Sequence, residues 1–302
     1  MKLAFLISAH TDPVHLGVLT QRLPDNSEFF VHIDAKSDIT LFTNAVSDKR
    51  VHFIEHRENV IWGSWIEAKY QMELIRAALT SDNRFDYLIT LSGMDYPFWS
   101  NDRILKFFED NAGREILQGM QVVNDDPKSY SYKQYRFLNS YHWSNGGILS
   151  KFRVAWRNVI AAMGVRKPLE FDAGGKHYKL YKGAAWWAIT PQLASLVLDT
   201  YDNNKEFDRY FKTSFCPAET FTQTVAFNSE FADKCILTKG HFTTLLALTP
   251  LTYLDYTPVV QVLTEKYYDK LIAADKMFCR KVCTGKSDGL MALIDKLRER
   301  EG

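Results

Sequence analysis

Up to Asn111, short apolar runs alternate with segments of helical spacing, and this alternation constrains the fold more than any other feature of the chain. Residues 3–8 form an apolar run. Residues 13–23 have helical spacing with Pro13 at the start. Residues 28–34 read as a second strand that ends in an acid, and residues 50–56 as a third. In residues 64–80, Trp65, Ala68, Met72, Ile75 and Leu79 recur at i+3/i+4, and Ser64 with Glu67 suggests a capping box. A strand over residues 87–91 and a helix over 101–111 follow. The βαββαβα order predicts an α/β sheet covered by helices on both faces.

The second half is less regular. Residues 122–147 are polar and tyrosine-rich without a clean period, and residues 164–183 carry two Gly-rich turns and several basic side chains. Both read as surface loops, either around a site or as plain connections. After them a strand is expected over 184–190, a helix over 191–204 with Pro191 at its start, and a helix over 217–229 opening with Pro and Glu. Linkers are short and internal repeats are lacking, which argues for one domain.

Bulk properties narrow the function classes. With 302 residues and 46% hydrophobic content the chain can build a sizeable core. The aromatic share of 14% fits a site for sugars or bases, or simply core. A net charge of +1 gives no global attraction to nucleic acid or anionic membranes. Cys216, Cys235, Cys279 and Cys283 lack zinc-like pairing, so free thiols in a reducing compartment are expected. The N-terminal apolar run is about seven residues long, short for a signal peptide. No run approaches the roughly 18 apolar residues of a membrane span. The expectation is a soluble, cytoplasmic protein, with peripheral contact at the inner face of a membrane compatible with it.

Two strands deliver carboxylates at their ends: "VHIDAKS" with Asp34 and "LSGMD" with Asp95. Turn chemistry accounts for such acids, and so does a ligand beyond the carboxyl ends of the strands, as in open α/β sheets. On the second reading, Gly93 lets the chain pass close to the ligand. G-x-G-x-x-G after the first strand, Walker A, H-E-x-x-H and a strand-end Asp-x-Asp are all missing. Glu219 stands where a helix begins; on position alone it reads first as an acid meeting the helix dipole. In "KGAAWWAIT", Lys182 precedes Trp186 and Trp187, which point opposite ways on a strand, so that one can be core while the other lines a pocket. Arg280 and Lys281, beside an apolar strand, could hold a diphosphate or be a solvated pair.

Taken in order, "VHIDAKS", "IWGSWIEAKYQMELI", "YLITLSGMDYPFWSN", "KGAAWWAIT", "CPAETFTQTVAFNS" and "MFCRKV" resemble the successive blocks of the core-2/I-branching β-1,6-N-acetylglucosaminyltransferases and peptide O-xylosyltransferases (glycosyltransferase family 14). The resemblance covers roughly residues 2–282, and "PAE" looks closer to the xylosyltransferase side.

It implies a GT-A-type α/β fold, a mixed central sheet flanked by helices in a single domain over 1–302. The nucleotide-binding half would be 1–120, and the acceptor and catalytic-base half 121–302. It implies inverting transfer from a UDP-sugar, of UDP-GlcNAc or UDP-xylose type, to a glycan, lipid-linked or protein hydroxyl in surface glycan synthesis. No metal and no cofactor beyond the donor are expected. Glu219 matches the catalytic base. Asp34, Lys36, Trp62, Gly63, Asp95, Arg280 and Lys281 fall on the donor side, and Lys182, Trp186 and Trp187 beside the acceptor. One departure is Thr252, in "LTYLDYT", where the family often carries a phosphate-binding Arg; Lys182, Lys239 or Arg280 would then supply that charge. Rival readings are a glycoside hydrolase using Glu219 and Asp95, and a non-catalytic carbohydrate-binding module.

Overall fold

In the computed structural model the described residues are 1–136, 148–241, 244–257 and 259–301. Their elements run β1 (Leu3–Ala9), α1 (Pro13–Gln21), β2 (Ser27–Ile33), α2 (Ile39–Ala45), β3 (Val51–Phe53), α3 (Trp65–Leu79), β4 (Tyr87–Ser92), β5 (Asp95–Pro97) and α4 (Asn101–Asp110). Then come β6 (Gln118–Gln121), α5 (Ile148–Ala162), β7 (Glu170–Ala173), β8 (Lys176–Lys179), β9 (Tyr181–Gly183), β10 (Ala188–Ile189), α6 (Pro191–Asn203) and α7 (Lys205–Phe211). The last are α8 (Phe221–Phe227), β11 (Ile236–Leu237), β12 (Thr252–Leu254), α9 (Tyr268–Ala274), β13 (Phe278–Arg280) and α10 (Asp288–Glu301).

The central sheet has the order β10-β4-β1-β2-β3. β1 pairs in parallel with β2 and β4, β2 in parallel with β3, and β10 antiparallel with β4. The period-2 alternation of β1 divides the core. Ala4 and Leu6 join Trp65, Met72 and Ile75 of α3 on one face. Leu3, Phe5 and Ile7 join Leu16 and Leu19 of α1, Phe42 of α2 and Phe108 of α4 on the other. Buried on both faces, the strand reads as an unbroken apolar run. Two small sheets, β11-β6-β9 and β12-β13-β5, flank the main one. A third cluster packs Tyr96, Tyr253 and Cys279 under Leu271 of α9 and Leu290 and Ile294 of α10.

The expected elements of the first half are present, with β3 confined to Val51–Phe53. The second half departs more. Residues 164–183, expected as loops, include the hairpin β7–β8. The strand expected over 184–190 pairs only at Ala188 and Ile189. Upstream, side chains take over the ladder's role: the Gln223 amide donates to the Ala184 carbonyl (2.7 Å) and the Thr90 hydroxyl to the Ala185 carbonyl (2.8 Å). The helix expected over 217–229 is split into a 3₁₀ turn (Pro217–Glu219) and α8. Residues 137–147 of the tyrosine-rich stretch lie outside the described residues. Cys216, Cys235 and Cys279 are free and buried, and Cys283 is free and half-buried. Among the described residues no helix is long and apolar enough to cross a membrane.

Gly93 has a different purpose from the one its position suggested. A Cβ there would stand 2.6 Å from the Ala9 Cβ, and the Gly93 N–H donates to the Ser8 carbonyl at 2.8 Å. The close approach is to β1, not to a ligand. Gly93→Ala is therefore expected to lower unfolding free energy by about 1–3 kcal/mol through overpacking, read by chemical denaturation; an unchanged midpoint would contradict the steric assignment.

Candidate active site

The parallel strands β1, β2 and β4 end side by side, and the residues just beyond them gather charge. Asp34 follows β2 and is buried. Its backbone N–H donates to the Ala9 carbonyl (2.9 Å), its carboxylate accepts from the Lys36 N–H (3.0 Å), and the Lys36 ammonium stands 3.1 Å away. The same ammonium donates to the Val60 carbonyl. His10 follows β1. Burial lowers its pKa, Asp34 opposes that shift, and Lys281, Lys36 and Arg280 add to it. One imidazole thus feels Asp34, Lys36, Arg280 and Lys281 together, which groups all four charges around His10 at one end of the site.

Asp95 and Arg280 are cross-strand partners where β5 pairs antiparallel with β13. Asp95 is fully buried, and its carboxylate accepts from the Ser92 N–H at 2.8 Å. The Arg280 guanidinium is 3.6 Å from it and lies over the Trp186 ring at 4.2 Å. Burial pushes the Asp95 pKa up to about 6, against Arg280 and the Ser92 N–H, which lower it. Burial also lowers the Arg280 and Lys281 values; Asp95 opposes the shift at Arg280, while Arg280 itself adds to that at Lys281. Among the described residues neither Asp95 Oδ1 nor Arg280 Nε has a hydrogen-bond partner. At 3.6 Å the contact is an ion pair without a hydrogen bond, and Lys281 adds a second cation next to it.

The other end of the cleft holds Glu219. Its carboxylate accepts from the Lys182 ammonium at 3.1 Å. Burial alone would lower the Lys182 pKa, but Glu219 and Tyr132 outweigh it and raise the net value. Lys182 also lies over the Tyr132 ring, 5.3 Å from its centre. Glu219 ends the 3₁₀ turn that starts after Cys216, whose backbone is left-handed (φ 44°, ψ 61°). A short strap fixes that corner. Glu67 on α3 accepts from the Gly63 N–H (2.8 Å), the Gly63 carbonyl accepts from the Cys216 N–H (3.3 Å), and the Cys216 carbonyl accepts from the Glu219 N–H (3.0 Å). Gly63 itself has φ +72°, a conformation that favours glycine.

Glu67 and Tyr70, one turn apart on α3, bridge the two ends. Burial pushes the Glu67 pKa up to about 8; the Gly63 N–H opposes the shift and the charge of Glu219 adds to it. Burial likewise raises the Tyr70 phenol well above its usual value, Glu67 adds to this, and Arg280 opposes it. Tyr70 stacks on His32 at 4.9 Å, and His32 Nε2 accepts from the Glu58 N–H, so that nitrogen carries no proton.

Several sequence expectations change on these coordinates. Trp187 is fully buried beside β4 and α6, with no surface to offer an acceptor. Trp186 is the half-buried member of the pair, and it covers Arg280. Lys182 holds Glu219 rather than standing free beside the acceptor. Asp95 has no exposed surface, so it acts only through Arg280. Trp62 is exposed and meets Phe215 edge-on at 6.4 Å. Thr252 is buried on β12, paired with Phe278. The capping box is only half formed: Ser64 Oγ accepts from the Ile66 N–H, but Glu67 reaches past Ser64 to Gly63. His10 and Tyr70 did not stand out in the sequence, and Glu67 did so only as a capping residue. The strand-end rule that singled out Asp34 and Asp95 applies equally to His10. Among the described residues no three His, Cys, Asp or Glu side chains are grouped to hold a metal ion.

The Core-2/I-Branching enzyme family model matches residues 3–257. The chain therefore belongs to that family, in keeping with the resemblance read from its blocks and the GT-A-type α/β architecture it implies. It is 22% identical over 221 residues to the xylosyltransferase sqv-6 of Caenorhabditis elegans, covering 71% of this chain and 25% of that protein. It is 23% identical over 207 residues to the Bos taurus β-1,3-galactosyl-O-glycosyl-glycoprotein β-1,6-N-acetylglucosaminyltransferase, covering 67% of this chain and 43% of the relative. The chain thus spans between a quarter and under half of these relatives. Among solved structures, galactosyltransferase LgtC with donor and acceptor sugar analogues aligns at a TM-score of 0.44 and 10% identity, covering 100% of this chain and 95% of that one. S. aureus TarS 1–349 with UDP-GlcNAc aligns at 0.33 and 14%, covering 100% and 71%.

The Glu67 environment has a pH signature. The folded chain keeps the Glu67 proton up to about pH 8, whereas an unfolded glutamate loses it near the ordinary 4.5. The folded state binds more protons in that window, so this group makes stability fall as pH rises through it. Glu67→Gln is expected to flatten the decline in Tm between about pH 5 and pH 8; parallel Tm profiles for the two proteins would contradict the assignment.

Proposed function

We propose that this chain is an inverting glycosyltransferase that moves a sugar from a UDP-sugar to an acceptor hydroxyl without a metal ion. The observation that carries the reading is that a carboxylate, Glu219, and a cation, Arg280 with Lys281 beside it, each lie within electrostatic reach of helix α3, the first through Glu67 and the second through Tyr70. Family membership supports the same chemistry.

The step balances with these groups alone. Glu219 takes the acceptor hydroxyl proton as the acceptor oxygen bonds to the anomeric carbon. The bond from that carbon to the diphosphate oxygen breaks, and UDP leaves with the electron pair. Positive charge builds on the sugar ring as it does in glycoside hydrolysis. Arg280 and Lys281 offset the charge gathering on the diphosphate, and because they are already fixed in place they need little reorganisation at the moment of reaction. Asp95 and Trp186 flank the guanidinium and fix its position. Asp34, Lys36 and the Trp62–Gly63 turn form the nucleoside side. Lys182 orients Glu219.

The donor is UDP-GlcNAc or UDP-xylose in type, and the acceptor is a glycan, lipid-linked or protein hydroxyl. The hydrolase alternative loses one of its two carboxylates, since Asp95 is buried behind Arg280.

The test is UDP release by the purified chain across a panel of UDP-sugars and acceptors. Acceptor-dependent release is expected, and Glu219→Gln should lower turnover by about 10²–10⁴-fold while calorimetric UDP binding persists. Near-normal turnover in Glu219→Gln would remove Glu219 from the base role. Turnover is also expected to survive excess EDTA; loss restored by Mn²⁺ would refute the metal-free reading.

A further inference from the structure

Helix α5 is turned the wrong way round for a core helix. A surface helix of a globular domain normally buries its apolar stripe. Here Ile148, Phe152, Trp156 and Val159, followed by Met163 just past the end, are 87, 66, 57, 50 and 76% exposed. Their spacing of four, four, three and four residues sets them on one helical face. Ala155 and Ala162 share that face and are exposed, and Val165, past the helix, is exposed as well.

The charge carried by this segment itself has one sign. From Ile148 to Leu169 the sequence contains no Asp or Glu. Lys151 and Arg166 are exposed beside the apolar row, and Arg153 and Arg157 are half-buried. Lys167 is not part of the face, because its ammonium turns inward to the Tyr210 carbonyl (2.5 Å) and the Thr213 hydroxyl (2.8 Å). In a chain of net charge +1, this is a local positive field around an exposed row of Ile, Phe, Trp, Val and Met.

We propose that α5 is a membrane-surface contact, lying in the plane of a bilayer that contains anionic lipid. The apolar row enters the boundary between headgroups and acyl chains, and Lys151 and Arg166 meet lipid phosphates. Trp is suited to that boundary because its indole is apolar but carries one N–H that can stay wet, and Phe is a usual residue of the apolar face of such helices. The one-signed charge favours a lipid surface over a protein groove: anionic headgroups reward each cation and penalise each acid, whereas protein interfaces mix both signs. The assignment rests on α5 alone and is independent of the glycosyl-transfer reading.

The experiment is co-sedimentation of the full chain with phosphatidylcholine vesicles, with and without phosphatidylglycerol. Variants are Phe152→Asp/Trp156→Asp and Lys151→Glu, with folding checked by circular dichroism and thermal unfolding. The expected result is binding to the phosphatidylglycerol vesicles that weakens with salt. The double variant should lose it at least about tenfold, and Lys151→Glu should weaken it by about fivefold or more. Failure of the wild type to bind phosphatidylglycerol vesicles, or binding unchanged in the double variant, would overturn the proposal. So would a wild-type dimer that the double variant converts to monomer, since a second copy would then occupy the face. Because each side chain changed is largely exposed, loss of fold in the double variant would itself contradict the outward orientation; Lys151→Glu alone then still reads the electrostatic part.

Discussion

A carboxylate and a guanidinium, both buried, face each other across two short strands, and that contact fixes the cationic end of the candidate site. Removing Asp95 and Arg280 from water is costly, and an ion pair recovers the cost only with good geometry and further hydrogen bonds. At 3.6 Å, with Asp95 Oδ1 and Arg280 Nε both lacking a partner among the described residues, this pair is not optimised for stability. What it achieves is placement. The antiparallel register of β5 and β13 sets residue 95 against residue 280, Ser92 anchors the carboxylate, and Trp186 covers the guanidinium. The cation is thereby held in one place, and Lys281 is the next residue along the chain.

The opposite end follows a different logic. Glu219 is located by backbone bonds from a left-handed corner at Cys216, and the corner is tied through Gly63 to Glu67 on the long helix α3. Because α3 packs on β1 and β2, whose ends carry His10 and Asp34, the two ends of the cleft share one rigid support. Lys182 adds a direct charge partner for Glu219 from β9. In the proposed reaction these supports keep the base and the leaving-group cations at a fixed separation while charge moves between them.

Much of this was legible in the residues. The apolar run of β1, the i+3/i+4 series of α3 and the strand-end acids Asp34 and Asp95 follow from periodicity and from the geometry of parallel sheets. What escaped the sequence depended on tertiary partners. Trp186 and Trp187 are adjacent and chemically alike, and only their surroundings divide them between cleft and core. Gly93 marks a close approach, but which chain approaches is set by β1. Glu67 has the spacing of a capping residue, and its reach to Gly63 depends on the turn before the helix. The β7–β8 hairpin hides in a polar, Gly-rich stretch that reads as loop. Residues 148–163 do carry an amphipathic period, but its apolar side faces solvent, so a pattern that normally marks core marks surface instead.

The most direct test of the central claim is a crystal structure of the chain with UDP bound. The account predicts the diphosphate against Arg280 and Lys281, the uracil near Asp34, and the Glu219 carboxylate across an open space from the terminal phosphate. A diphosphate bound away from Arg280, or Glu219 turned to a separate surface from the nucleotide, would contradict it.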